Sequence, residues 1–266
     1  MILINSVPPF IAATISLLFG ILISTRVKKS FSNFSLVTLC FCIAIWLYSY
    51  SFCYSSTDPD DALFWARNSY FGIIFIPVTV FQLAISLLGL DRRKTLISFY
   101  ILGVIFLILS RTDMFFSHVK KFFWGFYPQA SILYHPFLFF FFSIYTYACL
   151  LIFFALRDKS IDLRKHNQLK YVLVAYSVAS MASVDYFGKY GFEIYPFGYI
   201  NMVCFVVILS YAIIRYRLLD ISVAVTRSGI FILVYSLVLG IPFAIAFGLR
   251  DYLTTLFGPI WWIVPL

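Results

Sequence analysis

The side chains that could bind a metal or carry out catalysis are few and widely separated in this sequence. Its three histidines, His118, His135 and His166, are far apart along the chain, and none belongs to the HExxH pair of a zinc protease. The chain also lacks the GxSxG turn of a catalytic serine and the GxxxxGK[ST] loop that holds phosphate groups. We therefore expect no metal site, no cofactor and no enzymatic activity in this chain.

The five cysteines also lack the spacing of a zinc site or a redox pair. All of them fall inside apolar runs: Cys40, Cys42, Cys53, Cys149 and Cys204. Cys40 and Cys42 are two residues apart, so a helix would direct them to different faces. We interpret the cysteines as small core residues.

The composition excludes an ordinary soluble domain. The chain is 62% hydrophobic and 12% charged over 266 residues, whereas soluble domains carry about 25% charged residues. Its long unbroken apolar runs also exclude the alternating segments of an outer-membrane barrel. The sequence predicts an all-α fold, a polytopic bundle of transmembrane helices.

Nine apolar runs supply the helices of this bundle. They cover residues 8–25, 34–54, 62–88, 95–110, 132–156, 171–187, 197–214, 229–249, and a last run that opens near residue 257. A spanning helix needs about 20 residues, so the last run is too short before residue 266. We expect the sequence to end inside a truncated ninth helix.

Basic residues in the loops predict the direction of insertion, because Lys and Arg stay on the cytoplasmic side. With the N-terminus outside, fourteen Lys and Arg residues fall inside the cell and six fall outside. The inner loops would then lie against anionic lipids of the bilayer. The net charge of +9 therefore reflects membrane insertion, and we expect no nucleic-acid partner.

Aromatic and polar residues in the third run share one helix face. They are Trp65, Asn68, Gly72, Phe75, Thr79 and Gln82, spaced three or four residues apart. This stripe should face protein and not lipid. It is either the wall of a ligand cavity or a seam of hydrogen bonds between helices.

The sixth run and the longest outer loop have their own patterns. Ala175, Ala179 and Ser183 form a face of small residues, which favours close helix packing. Asp185 follows near the outer end, where it either pairs with Arg67 or reaches water. The loop at 111–131 mixes aromatic and charged residues, so it is either a lid folded over the bundle or an interfacial anchor.

We hypothesise that a ligand pocket lies in the outer half, because pockets combine apolar and aromatic walls with a few polar groups. Its candidate residues are Trp65, Asn68, Gly72, Trp124, Tyr127, His135, Asp185 and Tyr195. The alternative is that these aromatic residues only anchor the protein at the membrane interface. His135, at the start of the fifth run, is either a hydrogen-bonded structural residue or a switch.

The seventh run carries a second stripe, which extends from its outer third to its cytoplasmic end. Asn201, Tyr211 and Arg215 belong to it, and the basic segment with Arg217 and Asp220 follows. We hypothesise that these five residues couple an external signal to the cell interior.

Several local sequences resemble the N-terminal seven-transmembrane sensor region of bacterial histidine kinases. The most specific are IYPFGYI, with Tyr195, Pro196 and Gly198, and the following YAIIRYRLLDI. WARNSYFGIIFIP at 65–77, FFWGFYPQA at 122–130 and KHNQLKY at 165–171 occur in the same order. The resemblance covers about residues 10–227.

The resemblance implies a seven-transmembrane sensor region, which we place at 1–227. The sequence departs from the family pattern at 228–266, where its apolar runs predict an eighth helix and the start of a ninth. It implies a multi-pass protein of the bacterial inner membrane that passes a signal to a cytoplasmic kinase or other output domain. A homodimer and an unidentified small ligand are further expectations. The alternative function is a small-molecule transporter, although the sequence shows no inverted repeat and only Pro77 and Pro242 interrupt helices.

Overall fold

The computed structural model of the protein describes residues 4–26, 30–158 and 160–216. The predicted eighth and ninth helices lie outside the described residues, and so do Arg217 and Asp220.

Helices account for most of the described chain. They are α1 (Val7–Arg26), α2 (Phe31–Ser55), α3 (Pro59–Asn68), α4 (Tyr70–Ile73), α5 (Ile76–Leu88), α6 (Arg93–Leu109), α7 (Tyr134–Arg157), α8 (Leu163–Ser180) and α9 (Gly198–Tyr216). Two 3-10 helices, Ile4–Ser6 and Met181–Tyr190, accompany them. Each of the first seven apolar runs contains a helix, which confirms the helical prediction there.

Four helical segments of the described chain are long and apolar enough to cross a bilayer. They are Ile4–Thr25, Phe31–Ser55, Pro59–Leu88 and Tyr134–Arg157, and Gly198–Ile213 is a shorter apolar helix. The count of seven membrane crossings therefore stays a prediction.

The third apolar run is interrupted near its middle. α4 ends at Ile73 and α5 begins at Ile76, with Pro77 in the first turn of α5. Proline has no backbone N–H, so it suits a first turn and cannot continue the preceding helix. The break separates Asn68 and Gly72 from Thr79 and Gln82 of the predicted stripe.

The long outer loop contains a β-hairpin, so the expectation of an all-α fold is wrong for this segment. Strand β1 (Phe116–Phe122) pairs antiparallel with β2 (Gly125–Ala130). Gly125 has φ +131°, and a Cβ there would lie 2.5 Å from the Tyr54 carbonyl oxygen. Only glycine therefore permits the close approach of the hairpin to the end of α2. β2 packs over α2, α3 and the second 3-10 helix, in agreement with the lid interpretation.

The outer end of the sixth run is a 3-10 helix and not an α-helix. α8 tightens at Met181, and Gly191 closes the 3-10 segment with φ +86°. This geometry directs Asp185 and Lys189 into the bundle, where their exposed fractions are 9% and 2%.

Candidate functional site

A narrow cavity of about 50 Å³ lies between α2, α5, α7, α9 and the 3-10 helix Met181–Tyr190. Its walls are mainly apolar and include Ile43, Trp46, Val80, Phe141, Tyr145 and Phe205. A single water needs about 10–15 Å³ measured in this way. The cavity therefore has room for a few waters or for a thin organic molecule.

Small side chains on one wall create this space. Ala179, Ala182 and Ser183 line the cavity, whereas Ala175 is fully buried. The sequence predicted close packing for the face formed by Ala175, Ala179 and Ser183. Ala175 lies in the core and Ala179 packs against it, while Ala179 and Ser183 also border the open space of the cavity.

Lys189 lies at the outer end of the cavity. Its ammonium group donates hydrogen bonds to the hydroxyls of Tyr50 and, at 3.4 Å, Tyr127. It also lies 4.5 Å from the ring centre of Tyr127 and 4.8 Å from that of Tyr50, within cation–π range. Burial lowers the pKa of Lys189 to about 7, although the Asp185 carboxylate partly opposes this shift.

Asp185 connects the cavity to the first residue of α9. Its carboxylate lines the cavity and accepts a hydrogen bond of 2.9 Å from the Gly198 amide. A Cβ at Gly198 would lie 2.5 Å from Asp185 Oδ2, so only glycine allows this contact. A carboxylate at a helix N-terminus is stabilised by the unpaired N–H groups and the helix dipole.

The hairpin closes the outer end of the cavity. The Tyr127 hydroxyl donates to the Asp185 carbonyl at 2.7 Å, and Gln129 Nε2 donates to the Gly188 carbonyl at 3.2 Å. The hairpin is thus bonded to the same 3-10 helix that carries Asp185 and Lys189.

Two of the eight predicted pocket residues, Tyr127 and Asp185, line this cavity. Trp124 and Tyr195 form an aromatic layer beside Tyr127, with their ring centres 6.0 Å apart. The Tyr195 hydroxyl is bonded to the Asn5 carbonyl, while the buried Trp124 indole N–H has no hydrogen-bond partner among the described residues.

The other four predicted pocket residues lie away from the cavity walls. Trp65 packs on the ring of Phe52, and Asn68 accepts a hydrogen bond of 2.9 Å from Arg111. Gly72 packs against the Cys42 carbonyl of α2, and His135 is exposed, with Nδ1 3.3 Å from the Ile132 carbonyl. Their contacts are those of helix packing and loop attachment.

The expected partner of Asp185 has another contact. Arg67 forms an ion pair of 2.5 Å with Asp113, in the segment that follows α6. The pairing of Arg67 with Asp185 is therefore not present, and Asp185 does not reach water either, because the 3-10 helix directs it into the bundle.

None of the six residues in the third-run stripe is exposed, as predicted for a face that contacts protein. Its inner half forms a seam between helices, in which Gln82 accepts a hydrogen bond from the Tyr100 hydroxyl of α6.

A family model for the N-terminal 7TM region of histidine kinase matches residues 8–222. The chain belongs to this family. A search of curated proteins and a search of solved structures both gave no match. Membership identifies the chain as a sensory membrane module of a histidine kinase, which implies a cytoplasmic kinase output domain as its partner.

α9 is the last described element of the sensor region. It carries three of the predicted coupling residues, namely Asn201, Tyr211 and Arg215. Asn201 is half-buried, with a side-chain nitrogen that has no hydrogen-bond partner among the described residues, whereas Tyr211 and Arg215 are exposed. The buried face of α9 instead includes Phe205 and Leu209. The coupling stripe thus borders the packed face of the helix.

The far end of α9 is attached to the start of α8. The Tyr216 carbonyl accepts hydrogen bonds from Arg164 at 3.3 Å and from Gln168 at 2.9 Å. The rings of Tyr171 and Tyr216 stack at 5.1 Å. α8 and α9 are therefore held together at the end opposite to the cavity.

Sequence analysis did not select Lys189 or Tyr50 as site residues. A lysine just beyond an apolar run is expected to extend its charge into water, and Tyr50 is one of many aromatic residues in its run. The spacing of Asp185 and Lys189, four residues apart, was the available signal, because such residues share a helix face.

Proposed function

We propose that this sensor region detects a small ligand in its outer cavity and transmits the signal through α9 to the kinase. One observation carries the proposal. Asp185 lines the cavity and also holds the first amide of α9, so a change at the ligand site acts directly on a helix that crosses the bundle.

A ligand shifts a conformational equilibrium only through its different affinity for the two states. Here the groups at the outer end of the cavity are bonded to three elements, namely α2 through Tyr50, β2 through Tyr127 and α9 through Gly198. A molecule that rearranges the contacts of Lys189 or Asp185 therefore favours one arrangement of these elements over another.

We also propose that the protein lies in the bacterial inner membrane with its N-terminus outside. The distribution of basic residues in the loops supports this orientation. The cavity and its hairpin then lie in the outer half of the bundle, and Tyr216 lies at the cytoplasmic end.

The intact kinase tests the proposal through two substitutions of Asp185. Asp185→Ala removes the acceptor of the Gly198 amide, whereas Asp185→Asn keeps an oxygen in that place. We expect Asp185→Ala to change basal autophosphorylation in membrane vesicles by about fivefold, since a hydrogen bond contributes about 1 kcal/mol. Asp185→Asn should stay closer to the wild-type level.

Glu193→Ala is the matched control, because Glu193 is an exposed acid of the same outer segment. It should leave autophosphorylation unchanged. Wild-type activity of Asp185→Ala at equal membrane expression would contradict the proposed coupling through α9.

A further inference from the structure

We infer that a groove between α2, α5 and α6 binds one anionic phospholipid, with an acyl chain between α2 and α6 and its phosphate group at Arg92 and Arg93. The groove lies toward the end of the bundle opposite to the hairpin. It shares no lining residue with the outer cavity.

The groove exists because α6 packs against the bundle along a narrow face. Only Leu96 and Gly103 of its seventeen residues are buried. A space of about 700 Å³ separates α6 from α2, and α5 forms its floor through Gln82 and Ile85. One water needs about 10–15 Å³ measured in this way, so the groove has ample room for an alkyl chain.

The walls of the groove are apolar and open to the outside of the bundle. Phe31 and Phe34 of α2 and Ile97 of α6 line it, and all three side chains are exposed. Phe34 and Ile97 also belong to predicted membrane runs. Because the bilayer interior contains no water to fill such a space, a lipid acyl chain is its natural occupant.

The mouth of the groove carries positive charge. Arg92 and Arg93 line it, Lys94 follows, and the three side chains are exposed, with no ion pair inside the described part of the chain. Asp91 also lines the mouth, where its carboxylate accepts a hydrogen bond of 3.4 Å from the Arg93 backbone amide. Three cations outweigh this acid, and guanidinium groups bind phosphate oxygens in pairs of hydrogen bonds.

Gln82 places a hydrogen-bond donor between the charged mouth and the apolar walls. Its side chain lines the floor and is 2% exposed, and its Oε1 accepts a hydrogen bond from the Tyr100 hydroxyl. Its Nε2 has no acceptor among the described residues. Gln82 lies six residues before the end of α5, which is about 9 Å at 1.5 Å per residue.

The order of these groups along the groove matches that of a phospholipid. Its ester carbonyl oxygens lie between the phosphate and the acyl chains, where one of them would accept a hydrogen bond from Gln82. A soluble phosphate would contact only the mouth. A phosphatidylcholine headgroup carries its own cation, which the arginines repel, so the groove favours an anionic lipid.

Photolabelling of the purified chain in phosphatidylcholine nanodiscs tests the inference. The probe is phosphatidylglycerol with a diazirine in the first half of one acyl chain, and the comparison probe is phosphatidylcholine with the diazirine on the same carbon. We expect phosphatidylglycerol to label the groove residues of α2 and α6 more strongly. Excess unlabelled phosphatidylglycerol should displace it, whereas sn-glycerol 3-phosphate should not.

Substitution of both arginines tests the charged mouth. Arg92→Gln combined with Arg93→Gln should reduce labelling by phosphatidylglycerol about thirtyfold, because each basic side chain near anionic lipid contributes a factor of about five. Arg157→Gln is the matched control, since Arg157 is an exposed arginine at the same end of the bundle. It should leave labelling of the groove unchanged.

A second pair of variants tests the apolar walls while both arginines are kept. Ile97→Trp narrows the groove and should reduce labelling by phosphatidylglycerol. Ile101→Trp places the same ring one turn further along α6, at an exposed residue that does not line the groove, and should not reduce it.

Equal labelling of the groove by the two lipid probes would show an ordinary lipid-facing surface and would overturn the inference. Displacement by sn-glycerol 3-phosphate would reduce the site to an anion-binding loop, and protection from both probes would mean that protein covers the groove. Each of these results contradicts a bound phospholipid. Undiminished labelling of the double arginine variant, or of Ile97→Trp, would contradict it as well.

Discussion

Lys189 is a buried cation, and its neighbours reduce the cost of removing it from water. An isolated charge in an apolar interior is strongly unfavourable unless hydrogen bonds or other charges compensate it. Tyr50 and Tyr127 supply hydroxyl oxygens and ring faces, and Asp185 lies four residues earlier on the same 3-10 helix. The aromatic residues around this lysine thus act as polar partners as well as apolar packing.

The depressed pKa of Lys189 predicts a dependence of stability on pH. Burial lowers this pKa to about 7, whereas the unfolded chain keeps a value of about 10.4. Between pH of about 7 and 10 the unfolded state binds more protons, so stability rises with pH by at most about 1.4 kcal/mol per unit. The Tm of wild type relative to Lys189→Met should therefore increase over this range.

Thermal unfolding in detergent at several pH values measures this difference. Lys120→Met is the control, since Lys120 is exposed on β1 and its removal should give a difference that does not vary with pH. A constant difference between wild type and Lys189→Met would show that Lys189 is not buried as a perturbed amine.

At the scale of elements, the β-hairpin and the 3-10 helix form one closed unit at the outer end of the bundle. Gln129 and Tyr127 bond the hairpin to the carbonyls of Gly188 and Asp185. Opening of the cavity at the hairpin end therefore requires these bonds to break together.

Removal of one of these bonds should loosen the hairpin. In Gln129→Ala the contact with Gly188 is lost, and one neutral hydrogen bond contributes about 1 kcal/mol. We expect the backbone amides of β2 to exchange with deuterium about fivefold faster than in wild type. Ser117→Ala, which changes an exposed residue of β1, should leave exchange in β2 unchanged, and equal rates in both variants would contradict the attachment.

The helices could be predicted from the sequence, but these two outer elements could not. Long apolar runs identify a helix regardless of its partners. A strand is recognised by alternating burial, yet β2 is buried along nearly all its length and β1 is buried only at its ends. The 3-10 helix continues the apolar pattern of α8, so the change of helix type leaves no separate signal.

At the scale of the molecule, the outer cavity and the inner attachment of α9 lie at opposite ends of the same two helices. α8 continues into the 3-10 helix that carries Asp185, and α9 begins at Gly198 and ends at Tyr216. The predicted depth of each residue in the membrane placed Tyr127 and Asp185 among the outer residues of a candidate site. It could not predict which faces converge, because residues at one depth, such as His135 and Asp185, point to different surroundings.

The proposed direction of signalling depends on the orientation of the whole bundle in the membrane. Fourteen of the twenty basic residues lie on one side in the predicted topology, which favours that side as cytoplasmic. Single cysteines introduced at exposed loop positions test this with a maleimide that cannot cross the membrane. Asp60→Cys and Glu193→Cys should react in intact cells, whereas Arg92→Cys and Asp158→Cys should react only after permeabilisation.

The labelling requires a background in which the exposed native Cys204 is replaced by serine. Cys40, Cys42 and Cys53 are buried and should stay unreactive in folded protein, which provides an internal control. The reverse pattern, with Arg92→Cys labelled in intact cells and Asp60→Cys protected, would place the hairpin and the cavity on the cytoplasmic side. The cavity would then sense conditions inside the cell. The first residue of α9, and not its last, would lie on the side of the kinase.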